Sequence, residues 1–452
     1  MLRQAAISIL VAALALSASA RTRPHYGGTL RVEVEGDPWQ RPGGMARRLV
    51  MDGLTTLDPD GAVQPALAIR WASENDDHRW QFWLRPGVRF QNDAALTGAA
   101  VEASLTASCG ASCPWSVVHA VGASLVFTAD SPMPNLPALL ADDLYLIGTP
   151  TDSPAGLTGT GPFALSGDLG NHNHARVLAN ENCWRGRPFL DAIEITGSRS
   201  IRDQWLDLSV GRADLVEVPA EQMRQARDQR LTVIASPPVS LLALSLSDSG
   251  ALANPNLRAA LALAVDRTAL SNVIFQKQGE ITASLLPASL TGYAFLFPAD
   301  RDLDKAHELR GGVTPPTLTL AAEGGAAMQL AAQRIALNLH DAGFSVQVVN
   351  AAAPQHIDLT LRRFTLESSQ PQAGMESILR AAGLAVSIRA QTPAELYKTE
   401  REIVDAHLLI PLLYLPRAFA VSGRVRDLRL GADGTPLLDG VSLSDVQPDA
   451  AP

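Results

Sequence analysis

The sequence predicts an α/β protein built from more than one domain. Three observations carry that reading. The chain has 452 residues, too many for a single hydrophobic core. In its second half a strand-like run (317–321), a helical run (326–341) and another strand-like run (344–349) follow with short connections. That is the pattern of a parallel pair joined by a right-handed crossover. The first half instead carries short alternating runs separated by polar turn residues, the pattern of hairpins.

The elements follow in chain order. Arg3 precedes a ten-residue apolar run (7–16), and Ala18-Ser19-Ala20 supplies an A-x-A site before Arg21. Residues 1–20 therefore read as a cleavable signal peptide, since ten apolar residues are too few to span a bilayer. No later run is long enough either, so stable membrane insertion is not expected. The first cysteine is Cys109, far from the cleavage site, so there is no lipobox and the mature protein is expected free in the periplasm.

Residues 29–34 alternate as a strand, and a Gly/Pro-rich loop (36–44) leads into a helical stretch at 45–53. Asp58-Pro59-Asp60-Gly61 is a turn. Residues 67–73 and 79–84 form a hairpin across Glu74-Asn75-Asp76-Asp77. Thr97 caps a helix running to about residue 108, and 125–129 is a strand. Gly159-Thr160-Gly161-Pro162-Phe163 is glycine-rich, but it runs on into a strand. A phosphate loop must open into the free N–H groups of a helix N-terminus, so no nucleotide site is expected. Asn254 with Pro255 starts a helix to 264, and Asp266 begins another to about 275. Thr392-Pro393-Ala394-Glu395 is a capping-box start for a helix to about 407, followed by a strand at 409–415.

Composition narrows the function. At 46% hydrophobic and 18% charged residues the chain is ordinary globular material. A net charge of -9 argues against nucleic acid or an anionic membrane as partner. Cys109 and Cys113 are close enough in sequence to bridge, while Cys183 beside Trp184 suggests simple burial. One C-x3-C pair holds no metal, and neither a metal nor a cofactor is expected. The G-x-S-x-G, S-x-x-K, H-E-x-x-H and Walker A patterns are all absent. Asn171-His172-Asn173-His174 lies between two strands among polar residues and reads as a hairpin tip. The balance favours binding over catalysis.

A set of ordered segments sharpens this. Gly27-Gly28-Thr29-Leu30-Arg31-Val32 is followed by Asp52-Gly53-Leu54 and then by Pro65-Ala66-Leu67-Ala68. Phe82-Trp83-Leu84-Arg85-Pro86-Gly87-Val88-Arg89-Phe90 leads to Asp93 and Leu96-Thr97. The Gly159 to Phe163 turn comes next, then Asn180, Cys183-Trp184 and Pro188-Phe189-Leu190-Asp191. Gly211 to Pro219, Asn254 to Arg267 and a final Ile410-Pro411-Leu412 complete the series. Together they resemble the family 5 extracytoplasmic solute-binding proteins, the oligopeptide, dipeptide and nickel class of ABC importers.

The resemblance implies a two-lobed periplasmic-binding-protein fold of class II (cluster C) around a ligand cleft. Lobe I is expected at 21–48, 157–238 and 416–452, with 49–156 inserted as a subdomain, and lobe II at 239–415. The strands crossing between lobes are expected near 236–238 and 413–416. The implied role is capture of a small solute, a peptide above all, for delivery to the importer's membrane permease by a monomeric, non-enzymatic protein. A sensor without transport and a secreted hydrolase remain as alternatives. Trp39, Gln40 and Arg41 are expected to face the cleft from lobe I, offering a stacking ring and a carboxylate contact. The family's acidic W-x-x-D-Y-P-D-P-like loop is missing from lobe II, which is shorter than usual. Arg362, Arg363 and Phe364 stand in its place, and arginines there would favour a carboxylate-bearing solute.

Overall fold

The structure, a computed structural model, describes residues 24–39, 44–59, 61–109, 113–149, 157–166, 173–350, 356–366, 370–384, 388, 390 and 392–444. The expected signal peptide, Gln40, Arg41, Asn171 and His172 lie outside the described residues, as does the side chain of Cys109. Cys113 is disulfide-bonded, and Cys183 is a buried free thiol.

The strands are β1 (Thr29–Glu33), β2 (Ala68–Glu74), β3 (Arg79–Leu84), β4 (Val117–Val121), β5 (Ser124–Thr128), β6 (Phe163–Leu165) and β7 (His174–Ala179). They continue as β8 (Ala192–Thr196), β9 (Leu215–Val218), β10 (Thr232–Leu246), β11 (Leu318–Ala322), β12 (Val346–Val349), β13 (Leu359–Thr365) and β14 (Leu409–Val421). The helices that position the site are α1 (Met45–Val50), α2 (Gly98–Cys109), α3 (Ile201–Ser209), α4 (Pro255–Ala264), α5 (Ala326–Asp341), α6 (Pro371–Ala381) and α7 (Pro393–Asp405).

One sheet of eleven strands runs through both lobes in the order β12-β11-β13-β10-β14-β9-β1-β8-β7-β6, with a short strand at Glu280–Ile281 also pairing with β14. β10 and β14 are the only long members among the described residues, and they pair with each other antiparallel along their length. Their other neighbours change part-way. The first half of β14's partner register, Thr232↔Val421 to Ala235↔Ala418, lies beside β9. The second half, Ser240↔Leu415 to Ser245↔Leu409, lies beside β13. Between them Pro238 sits opposite Pro416, flanked by register shifts. Proline lacks the N–H that a ladder requires, so it is tolerated in a central strand only where the pairing is already broken. Two prolines face each other where the outer neighbours of the pair change from β9 to β13.

Each lobe covers both faces of its part of the sheet. In lobe II, Leu242, Leu244 and Leu246 of β10 enter one core with α4 and α5. The intervening Val239, Leu241 and Ala243 enter the other, with α6 and Tyr414. In lobe I, Phe419 and Val421 join a core with Leu30, Val32 and Ile193, whereas Ala418 and Ala420 face Trp205 and Met223. Burial on both faces explains why these strands read as continuous apolar runs. Each fully buried leucine contributes about 1.5–3 kcal/mol. The segment between α1 and β6 builds its own core around Trp80, Phe82, Leu105, Trp115 and Phe127, on the four-stranded sheet β2-β3-β5-β4.

The glycine-rich turn at 159–163 is a packing device. A Cβ on Gly159 would stand 2.1 Å from the Val50 carbonyl oxygen, and one on Gly161 would stand 2.5 Å from that of Leu49. Only glycine lets the backbone approach the end of α1 so closely. The Gln91 side chain donates there to the carbonyls of Val50 and Phe163.

Local readings are corrected in four places. The first helix stops at Val50. The helix expected from Asp266 is a single turn, Arg267–Ala269, capped by Asp266 and continued by a π turn, Leu270–Ile274. The strand expected from 344 starts at Val346, because Phe344 turns into the core. The strand expected to end at 415 continues to Val421.

Candidate functional site

A cavity of about 900 Å³ lies at the crossing of β10 and β14. Lobe I lines it with Glu35, which follows β1, with the segment 217–222 at the end of β9 and beyond it, and with Arg417. Lobe II lines it with 323–328, which leads from β11 into α5, and with 362–365 at the end of β13. β11 and β13 are parallel neighbours, so their carboxyl ends open on the same crevice, the usual ligand position in an open α/β sheet. A smaller cavity of about 130 Å³ lies within lobe I. The larger one is lined from both lobes.

The wall is strongly charged. Among the described residues six carboxylates (Glu35, Asp143, Glu217, Glu221, Glu323, Asp433) face four guanidinium groups (Arg48, Arg362, Arg363, Arg417). Most are paired. Arg48 holds both Asp143 and Asp433, the latter at 3.0 Å. Burial pushes the Asp433 carboxyl up, but Arg48, Arg417 and the bonds from Thr435 outweigh it and hold it below its ordinary value. Arg48 is in turn held in its charged form: burial opposes the charge, and the two aspartates overcome it. Arg362 lies 3.2 Å from Glu323. Arg363 donates to Glu221 at 3.2 Å.

Glu217 and Glu35 are the exception. The Glu217 backbone is fixed by α3: its N–H donates to Gln204 Oε1 at 2.8 Å, and its carbonyl accepts from Trp205 Nε1 at 3.1 Å. Its carboxylate accepts the Glu35 backbone N–H at 2.6 Å. Neither Glu35 nor Glu217 has a cation within ion-pair distance among the described residues. Burial, with Glu217 and Glu221 nearby, raises the Glu35 carboxyl above its ordinary value, partly offset by Arg363.

The expected site residues are only partly brought together. Trp39 is corrected: it is 7% exposed in the lobe I core, its backbone N–H donates to Asp37 Oδ1, and it does not line the cavity. A large ring with so much apolar surface is better placed in the core than at a wet cleft. Arg362, Arg363 and Phe364 do reach the cavity, but from a central strand paired with β10. Phe364 is only 2% exposed; it packs with Leu241 and Ile378. Both arginines are met by glutamates, so the expectation of a carboxylate-bearing solute loses its premise. Sequence reading missed Glu35, Glu217, Glu221 and Glu323. The nearest sequence signal was Glu217, inside a strand whose other members are apolar.

The sequence pattern of the bacterial extracellular solute-binding proteins, family 5 (middle region), matches residues 62–386. The chain belongs to this family. Among curated family relatives, a probable di/tripeptide-binding protein 5 of Pseudomonas aeruginosa is 25% identical over 349 residues, 66% of each chain. The glutathione-binding protein GsiB of Salmonella typhimurium is 26% identical over 281 residues, covering 57% of this chain and 54% of that protein. The chain thus spans about two thirds or less of the length of the curated relatives it matches. Solved structures share the two-lobed fold. NikA of Staphylococcus aureus in complex with Ni(L-His)2 superposes with a TM-score of 0.79 at 16% identity, over 92% of this chain and 100% of that one. AppA of Bacillus subtilis, in complex with a nonapeptide, gives 0.76 at 16% identity, over 94% and 100%. No helix among the described residues is long and apolar enough to cross a membrane.

Proposed function

We propose that this protein is the periplasmic substrate-binding component of an ABC importer. It captures a small solute, a peptide in the favoured reading, between lobe I (21–48, 157–238, 416–452, with the 49–156 insertion) and lobe II (239–415). It then presents the closed form to the membrane permease, as a monomer exported by its signal peptide and without catalysis. The observation that carries this reading is the cavity of about 900 Å³, placed where, among the described residues, the two long strands β10 and β14 join the lobes. That size suits a small ligand, and a two-strand crossing is a natural hinge. The names of the di/tripeptide-binding and glutathione-binding relatives support a peptide.

Native mass spectrometry of protein purified from the periplasm tests it, followed by calorimetry with di- and tripeptides. A co-purified peptide, or binding of at least one panel member, is the expected result. A protein that carries no solute and binds none of the panel would refute it.

A further inference from the structure

Two ion pairs join the lobes among the described residues: Arg380 with Asp142 at 3.7 Å, and a shorter one, Arg363 with Glu221, whose two members both line the cavity. Glu221 belongs to the turn after β9, a lobe I strand paired with β1 and with the far end of β14. Arg363 belongs to β13, opposite Leu242 in the lobe II part of β10. The two residues thus stand on opposite sides of the Pro238–Pro416 crossing, yet Arg363 Nη2 lies 3.2 Å from Glu221 Oε2. Both line the cavity, and each is partly withdrawn from solvent: Glu221 is 14% exposed and Arg363 34%. The Arg363 guanidinium also lies 5.9 Å from the Phe275 ring, which supports it from the lobe II side.

The pair has a second property: it is made in surroundings with carboxylates to spare. Arg363 pairs with Glu221 and its charge acts on Glu35, while Glu35 and Glu217 have no cation within ion-pair distance among the described residues. A guanidinium already seated on Glu221 shows what kind of group this wall accepts. A second cation entering the cavity could therefore take over Glu221 without leaving it unpaired, while Arg363 would keep its aromatic support.

We infer that Arg363 is a built-in occupant of the cleft, holding the ligand-free lobes together through Glu221 until an amine or guanidinium group of the solute displaces it. The inference rests on the reading of this cavity as the solute site and adds the chemistry selected there. Arg363 thereby becomes a specificity-determining residue. It competes directly with a cationic ligand group and acts on an uncharged one only through the latch, so that removing it favours a cationic solute more than an uncharged one.

Small-angle scattering of the ligand-free full-length mature protein tests the latch without any ligand. Arg363→Ala and Glu221→Gln should each give a larger radius of gyration than the wild type. Arg363→Lys should lie between, and the double exchange Glu221→Arg with Arg363→Glu should restore compactness. Identical scattering from all five proteins overturns the latch. Displacement is tested by calorimetry with Ala-Arg-Ala and with N-acetyl-Ala-Gln-Ala, which carries no cation. Arg363→Ala should bind the first about tenfold more tightly than the wild type does, with a clearly smaller change for the second. An equal change for both peptides, or no binding of Ala-Arg-Ala to either protein, overturns the displacement. Failure of all peptides to bind would also count against the proposed solute function, while the scattering result would still decide the latch.

Discussion

Asp52 in lobe I and Glu400 in lobe II are both buried carboxylates, 6% and 0% exposed, that tie distant segments together by different means. Asp52 accepts from Thr160 Oγ1 at 2.9 Å, Trp184 Nε1 at 2.8 Å and Arg185 Nη2 at 2.7 Å. Its charge is answered by a cation. Glu400 accepts only neutral donors: the backbone N–H groups of Leu285 and Leu286 at 2.7 and 3.0 Å, and Tyr293 Oη at 2.9 Å. The same division recurs elsewhere. Lobe I joins Asp214 to Arg31 at 2.9 Å and Arg48 to Asp433. Lobe II buries Arg267 on backbone carbonyls alone, and burial depresses its pKa to about 10. Lobe I therefore uses its buried charges as pairs, whereas lobe II holds single charges that cost free energy as long as they are ionised.

Replacing each carboxylate by its amide breaks the comparison most directly. Asp52→Asn must turn an amide NH2 toward either Arg185 or the Thr160 and Trp184 donors, so a donor meets a donor and Arg185 loses its anion. A loss of about 3 kcal/mol is expected in urea unfolding. Trp184→Phe removes one donor and leaves the pair, and should cost about 1 kcal/mol. Glu400→Gln can keep its carbonyl on the two backbone N–H groups and donate from its NH2 to the rotatable Tyr293 hydroxyl. It should change stability by less than about 1 kcal/mol at neutral pH. Equal losses for the two amides would show that the distinction is without energetic meaning.

The pH response sharpens it further. Burial raises the Glu400 carboxyl above its ordinary 4.5, against the three donors that lower it. A raised acid pKa in the folded state gives stability that is complete below the unfolded value and lost as pH rises through the folded one. Lowering the pH from 7 toward 4.5 should therefore favour folding through Glu400, and Glu400→Gln should flatten that part of the pH–melting curve. Asp433 behaves oppositely. Its lowered pKa gives stability present above 3.8 and lost only as pH falls through the lower folded value. A wild-type curve with the same slope as Glu400→Gln between pH 4.5 and 7 would remove the argument. The smallest effect belongs to Arg401, whose pair with Asp405 lies on the surface of α7. Arg401→Ala should cost less than about 0.5 kcal/mol.

Much of the secondary structure was legible because its causes are local. The helix at Ala326–Asp341 followed from its apolar spacing and the glycine beyond it. The capping box at Thr392 is present with both of its bonds, and Asn254 caps α4 through Asn256 N–H. Where reading failed, a distant partner had decided the outcome. β14 runs on past Pro411 and Pro416 because β10 and β9 supply its hydrogen bonds. The candidate site was less legible than the fold. Arg362 and Arg363 stood out as unusual residues for their position, but Trp39 went to the core, and the glutamates of the opposite wall carried no local mark.

The sequence by itself determined the elements, their order and the ordered family segments, because capping, periodicity and turn chemistry act between residues a few positions apart. The tertiary structure alone decided which charges meet. Arg363 and Glu221 are 142 residues apart, and Asp52 and Arg185 are 133 apart. An ion pair depends on a few ångströms in space, a quantity fixed only when the sheet has joined the two lobes.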